Sequence, residues 1–251
     1  MLSLENVSRL FGGLAALTDV TLSVPQAKVV GLIGPNGAGK TTLINCVSGL
    51  DHPTSGSIRL RDAQIHGQGP HRIAAMGLAR TYQNIRLFAT MTVRENVIVA
   101  QHHRGRVILF EFILLLPTHR AEQRRVDERA DALLERFNLL DVQHAPAGSL
   151  PYGDQRRLEM ARALATDPAM ILLDEPTAGM NAIETREFGD QILKMREDGL
   201  TLLVIEHDMA LISQVCDEVY VLNFGKVIAH GTPEEIKQNA AVIEAYLGEE
   251  D

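Results

Sequence analysis

Two short stretches carry residues whose types and spacing suit phosphate chemistry. The first is GPNGAGKT, Gly34 to Thr41: a glycine, four residues, then glycine, lysine and threonine. Glycines let the backbone curl around an anion so that several N–H groups point inward. A helix opening here adds the positive end of its dipole. Lys40 is expected to reach the β- and γ-phosphates of a nucleotide, and Thr41 to offer its hydroxyl to Mg²⁺. The second stretch is MILLDEPTAG, where four apolar residues lead into Asp174 and Glu175. Asp174 is expected to hold the water shell of the Mg²⁺. Glu175, one residue on, is placed to orient or deprotonate an attacking water. A lone Asp-Glu pair could be a solvated strand end. Beside a complete phosphate loop it reads as the second half of a nucleotide site.

The elements that must position these residues follow from periodicity. KVVGLIG, a continuous apolar run ending in glycine, reads as a strand covered on both faces just ahead of the phosphate loop. TTLINCVSGL can continue that loop as a helix. AMILLDE and TLLVIEHD are further apolar strands. Val20, Leu22 and Val24 alternate, as do Ile58 and Leu60 after the turn PTSGS. VYVLNFGKVIAHG reads as a hairpin turning at Phe224–Lys226. A charged helical segment after Glu175 is stopped by Gly199. From about Arg86 the character is helical. Thr92 with Glu95 three residues on forms a capping-box pattern. Val126, Ala130, Leu133, Leu134 and Phe137 share one helical face. Strands and helices thus alternate at both ends of the chain, with a helix-rich block between. The expected fold class is α/β, with a helical subdomain inserted into an α/β core.

Bulk properties narrow the classes. The 251 residues are 45% hydrophobic and 22% charged, ample for a buried core. A formal net charge of −8 argues against a basic nucleic-acid-binding surface, so no nucleic-acid partner is expected. Cys46 and Cys216 lack metal-ligand spacing and read as reduced core side chains. His102 and His103 are adjacent, and adjacent side chains on a helix diverge, which disfavours a shared metal. The N-terminal MLSLENVSRLF has no basic region followed by an apolar core, so no signal peptide is expected. The run VILFEFILLLP, Val107 to Pro117, contains Glu111 and is far short of the roughly 20 residues a spanning helix needs. A soluble chain is expected, with that run either a buried helix or a docking surface for a membrane-embedded partner.

Further motifs complete a pattern. RTYQN supplies Gln83, VIEHD supplies His207, Phe11 stands in the N-terminal stretch MLSLENVSRLF, and SLPYGDQRRLEMARAL runs from a loop into a helix. With the phosphate loop and the Asp174–Glu175 pair, these six elements stand in the order of one family. Over essentially its whole length the chain resembles the nucleotide-binding subunit of an ABC transporter. The resemblance implies a P-loop NTPase core with an antiparallel β subdomain at 1–85 and 166–251, and a helical subdomain at 86–165. It implies ATP and Mg²⁺ as cofactors and ATP hydrolysis coupled to transport. Phe11 would stack on adenine. Gly34, Asn36, Gly37, Gly39, Lys40, Thr41 and Thr42 would surround the phosphates. Thr41, Gln83 and Asp174 would attend the metal, and Glu175, His207 and Gln83 would serve catalysis. Tyr152, Gly153 and Asp154 of the signature loop would face the ATP of a second ATPase subunit, another chain or a second copy. FGGLAAL, GLARTYQNIRLFATMTVRENVIVAQHH, YGDQRRLEMARALATDP and VIEAYLGEE are similar to the longer ATPase subunit of branched-chain amino acid importers. That likeness implies two membrane permeases, an indirectly coupled periplasmic or extracellular binding protein, and a seat at the cytoplasmic face of the inner membrane. An ATPase driving lipid or lipopolysaccharide export is the alternative, sharing the RRLEMARAL-like helix and the YLGE ending.

Two positions depart from the wider family. Pro151 stands where the signature loop carries serine. Asn181 stands where the interface loop carries aspartate, with Ala182 in place of the neighbouring proline. Losing a hydroxyl bond to a charged phosphate costs on the order of 1.5–3 kcal/mol. Gly153 keeps a small residue where backbone must approach phosphate, and a helix opening near it keeps its positive end. Pro151 is tolerated at such a start because no N–H is required there. The site completed by this loop is therefore expected to be weakened rather than lost.

Overall fold

The computed structural model of the protein describes residues 1–101 and 117–247. His102, His103 and the apolar run from Val107 up to its terminal Pro117 lie outside the described residues. The chain divides into two compact units, one of Met1–Gln83 with the chain from Ala169 on, the other of Asn84–Pro168.

The first unit contains two sheets. Strands β1 (Leu2–Phe11), β2 (Leu14–Val24), β4 (Ser55–Leu60) and β5 (Ala63–Gln64) form an antiparallel sheet in the order β2-β1-β4-β5. The second sheet has the order β10-β9-β3-β8-β7-β6. Its members are β3 (Val29–Ile33), β6 (Leu78–Arg80), β7 (Met170–Asp174), β8 (Thr201–Ile205), β9 (Glu218–Asn223) and β10 (Lys226–Gly231). All but the edge strand β10 run parallel. β3, β7 and β8 are buried along their whole length, which is why they read as unbroken apolar runs rather than alternating ones. In β2 the alternation of Val20, Leu22 and Val24 points one face into the core. That face, the inner face of β4 and the helix α1 (Lys40–Ser48) share one hydrophobic cluster with Leu32, Leu172 and Leu203. Each buried Leu, Ile or Val contributes about 1.5–3 kcal/mol. The hairpin turns at Phe224–Gly225, and Lys226 already belongs to β10. The short helix α2 (Pro70–Ala75) precedes β6.

In the second unit, α3 (Val93–Gln101), α4 (Pro117–Arg136) and α5 (Tyr152–Ala165) pack on one another. The capping box that opens α3 is present: Thr92 N–H donates to Glu95 Oε2 at 2.7 Å, and Glu95 N–H donates to Thr92 Oγ1 at 3.1 Å. Ala130, Leu134 and Phe137 are buried, with Val126 and Leu133 half-buried on the same face. The first unit also carries α6 (Ala182–Glu197), α7 (Met209–Val215), α8 (Pro233–Lys237) and α9 (Ala240–Leu247). Cys46 and Cys216 are free and buried, and burial pushes their thiols up to about 11 and about 12.

Candidate active site

The phosphate loop leaves β3 at Gly34 and enters α1 at Lys40. Gly39 caps the helix with φ 104°, a left-handed value that an L side chain rarely adopts. A Cβ at Gly34 would lie 2.0 Å from the Leu222 carbonyl oxygen, so only glycine allows the loop to pass β9 this closely. Lys40 Nζ donates to the carbonyls of Gly34 and Pro35, at 2.5 and 2.8 Å, which folds its side chain back along the loop. The first N–H groups of α1 have no carbonyl partner within the helix and are available to an anion.

A cleft of about 480 Å³ opens over this loop. Among its lining residues are Asn36, Gly37, Gly39, Lys40, Thr41 and Thr42, together with Gln83 and Glu175. Leu14, Ala15, Ala16, Phe224 and Gly225 also line it. Gln83 Nε2 donates to Glu175 Oε2 at 2.6 Å. Glu175 has φ 47°, and its N–H donates to the Ile205 carbonyl at 2.9 Å. A left-handed non-glycine residue costs roughly 1–2 kcal/mol, and the sheet holds Glu175 there at the end of β7.

Asp174, 8% exposed, precedes it. Arg80 Nη2 bonds Asp174 Oδ2 at 2.9 Å, and Arg80 Nη1 donates to Asn45 Oδ1 and Ser48 Oγ, both at 2.8 Å. One guanidinium thus joins the end of β7 to α1. Glu206, 1% exposed, accepts from Thr177 N–H at 3.1 Å and Thr177 Oγ1 at 2.7 Å through Oε1. Its Oε2 accepts from the N–H groups of His207 and Asp208 at 2.9 and 3.3 Å. The loop after Glu175 and the loop bearing His207 therefore share one buried carboxylate. The His207 side chain is 67% exposed, with Nδ1 3.5 Å from Glu206 Oε2.

The remaining sequence candidates lie elsewhere. Phe11, Gly34, Asp174 and His207 are not among the described residues lining the cleft. Arg9 holds its guanidinium 4.4 Å above the Phe11 ring. Tyr152, Gly153 and Asp154 belong to the second unit. There Pro151 is the N-cap of α5, and Tyr152, not Gly153, is its first residue. The Tyr152 hydroxyl accepts from buried Arg156 at 2.8 Å, Arg156 also pairs with Glu159, and Asp154 pairs with Arg157. Asn181 caps α6: its Oδ1 accepts from Ile183 and Glu184 N–H, while Glu184 accepts from the Asn181 N–H. An amide oxygen caps as a carboxylate does, so the helix keeps its start despite the missing aspartate.

Sequence reasoning missed Arg80, Glu206, Phe224 and the segment Leu14–Ala16. Arg80 stands three residues before Gln83, but its partner Asp174 is 94 residues away. Glu206 is the residue beside His207 in VIEHD, a charged residue at the end of an apolar run, which is the one signal that could have drawn attention to it.

Comparison with known proteins agrees with this geometry. The ABC transporter family model matches residues 17–178. A second model, for the branched-chain amino acid ATP-binding cassette transporter, matches residues 226–251. The chain is 46% identical to the high-affinity branched-chain amino acid transport ATP-binding protein LivG of Salmonella typhimurium, over 99% of this chain and 98% of that protein. Against the corresponding BraF of Pseudomonas aeruginosa it is 45% identical over the same shares. The lipopolysaccharide export ATP-binding protein LptB of Haemophilus influenzae is more distant, at 36% over 100% and 98%. Among solved structures, the ADP conformation of an ATP-binding cassette of an ABC transporter superposes with a TM-score of 0.86. It is 31% identical and covers 99% of this chain and 98% of its own. A phosphate loop, a strained glutamate at a strand end and a full-length match of this kind leave one assignment: the chain belongs to the ABC transporter family, as an ATP-binding ATPase subunit.

Proposed function

We propose that this subunit powers uptake of branched-chain amino acids from the cytoplasmic face of the inner membrane. The likeness to LivG and BraF, and the matching C-terminal segment, support the importer reading over the exporter one. ABC ATPase subunits dimerise and work with membrane permeases. Here the partners proposed are two permeases and a second ATPase subunit, either a different chain or a second copy, with a substrate-binding protein acting through the permeases. Among the described residues no helix is long and apolar enough to cross a membrane, so the permeases would supply the path.

The observation that carries the hydrolytic role is the Gln83–Glu175 bond in the cleft that the phosphate loop lines. ATP phosphates would lie against the N–H groups of residues 37–42, with Lys40 turning from the loop carbonyls to the β- and γ-oxygens. Glu175 would orient or deprotonate the attacking water, and Gln83 would hold that carboxylate until substrate separates them. His207 would stabilise charge on the γ-phosphate. Thr41, Gln83 and Asp174 offer oxygen donors, the set that suits Mg²⁺, and Arg80 engages Asp174 Oδ2 alone. The metal would neutralise charge on the phosphate oxygens. Tyr152, Gly153 and Asp154 would meet the ATP held by the partner subunit, and Phe11 would offer a ring to adenine.

The test is to co-purify the complete complex and measure ATP hydrolysis with binding proteins loaded with leucine, isoleucine, valine, urea or a simple amide. Stimulation by a branched-chain ligand alone supports the proposal. Stimulation by urea or amides, or by none of them, overturns the substrate class.

A further inference from the structure

The mechanism above leaves the most conspicuous side chain on the cleft without a task. Phe224 is 85% exposed, yet it is a large aromatic lining the same cleft as the phosphate loop. Its φ of 45° lies in the left-handed region, a genuine outlier for a bulky residue. Phe224 and Gly225 are the two turn residues between paired Asn223 and Lys226, and such a hairpin requires positive φ at both. Asn-Gly is the pair that suits it, so an exposed phenylalanine runs against the turn's own preference.

The turn is fixed rather than loose. Gly225 N–H donates to the Ala38 carbonyl of the phosphate loop at 2.9 Å, and Thr18 N–H donates to the Gly225 carbonyl at 2.8 Å. A Cβ at Gly225 would meet the Ala16 carbonyl at 2.5 Å, so the turn sits flush on β2. Phe224 is thereby held beside the phosphate loop. Leu14, also strongly exposed, lines the same cleft. Gln83 and Glu175, which attend the reacting phosphate, are polar lining residues of that cleft. Leu14 and Phe224 are its large apolar ones. Phe11 is not among the described residues lining the cleft and Arg9 lies over its ring, so Leu14 and Phe224 stand beside Phe11 and not in its place.

We propose that Phe224 is a nucleobase-contact residue, forming with Leu14 an apolar wall for the purine of the bound nucleoside triphosphate. The inference rests on the nucleotide reading of the cleft. Contact between an aromatic ring and a purine needs no hydrogen-bond code, so the wall accepts adenine and guanine alike.

The experiment measures binding of ATP, GTP and inorganic tripolyphosphate to the full chain by titration calorimetry. Phe224→Ala is compared with the wild type, with Phe224→Asn as a second variant because asparagine tolerates the left-handed conformation. The expected result is about tenfold weaker binding of both nucleotides with tripolyphosphate unchanged, and recovery in Phe224→Tyr. Equal nucleotide affinity in variant and wild type overturns the inference, as when Phe224 serves only a protein contact. A parallel loss for tripolyphosphate also overturns it, because the turn would then act by supporting the phosphate loop. Failure of the wild type to bind any of the three is a different result, and removes the nucleotide reading itself.

Discussion

Gln83 Nε2 lies 2.6 Å from Glu175 Oε2, although 92 residues separate them in the chain. The glutamine that ends the first segment of the core is thus the direct hydrogen-bond partner of the proposed base. Glu175→Gln should leave ATP binding intact, trap a closed dimer and reduce turnover at least a hundredfold. Gel filtration with ATP and a phosphate-release assay check both effects. Unchanged turnover removes Glu175 from the mechanism.

Arg80 and Asp174 form a buried pair that ties the end of β7 to α1. Removing one partner leaves a buried charge, at about 3–5 kcal/mol. Arg80→Met should therefore lower the melting temperature sharply. Mg²⁺ with ATP should restore more stability to the variant than to the wild type, because a cation near Asp174 replaces the lost guanidinium. Scanning calorimetry with and without Mg²⁺ and ATP reads the difference, and equal ligand stabilisation in both proteins refutes it.

Glu206 is a junction for two loops, accepting from Thr177 on one oxygen and from His207 and Asp208 on the other. In Glu206→Gln one of those oxygens becomes an NH₂ facing donors, which costs about 1–3 kcal/mol. We expect kcat to fall about tenfold with KM for ATP changed less than twofold, since neither loop lines the phosphate cleft. A rise in KM with kcat preserved would show that Glu206 supports ATP binding instead.

Pro151 removes a hydroxyl that the wider family carries, while α5 still begins one residue later with its N-terminal groups intact. In a reconstituted pair, mutating Glu175 and, separately, the corresponding glutamate of the partner subunit should reduce ATPase unequally. Pro151→Ser should narrow the gap. Equal losses before that substitution would sink the asymmetry.

The Thr92 backbone N–H, with the Thr92 hydroxyl, holds the Glu95 carboxylate below its ordinary 4.5. A lowered folded value means the contribution is complete above the unfolded pKa and is lost as pH falls through the folded one. Glu95→Gln should thus melt lower than the wild type at neutral pH, with the difference vanishing in acid. A constant difference across pH would assign the effect to packing.

The phosphate loop and the Asp174–Glu175 strand end are contiguous stretches, and the strand and helix elements that carry them were legible. GPNGAGKT specifies its own backbone path, because a loop needing left-handed residues between a buried strand and a helix must carry glycines there. The apolar runs of β3, β7 and β8 declare strands covered on both faces. β1 was harder to read, since register shifts interrupt its pairing with β2 and blur its alternation. β6 has only three residues, too few for a period. The helix starts at Thr92 and Asn181 are local bonds between neighbours, and follow from residue type. The contacts that make the site do not. Arg80 reaches Asp174 because β6 pairs with β7, with Arg80 beside Leu172, and Glu175 bonds Ile205 because β7 pairs with β8. Strand order and parallel register bring together residues that no spacing along the chain connects. Glu206 and Phe224 likewise gain their neighbours only when separate loops meet at the strand ends. Local sequence chose the candidate reacting groups, and the order of the strands chose what each one touches.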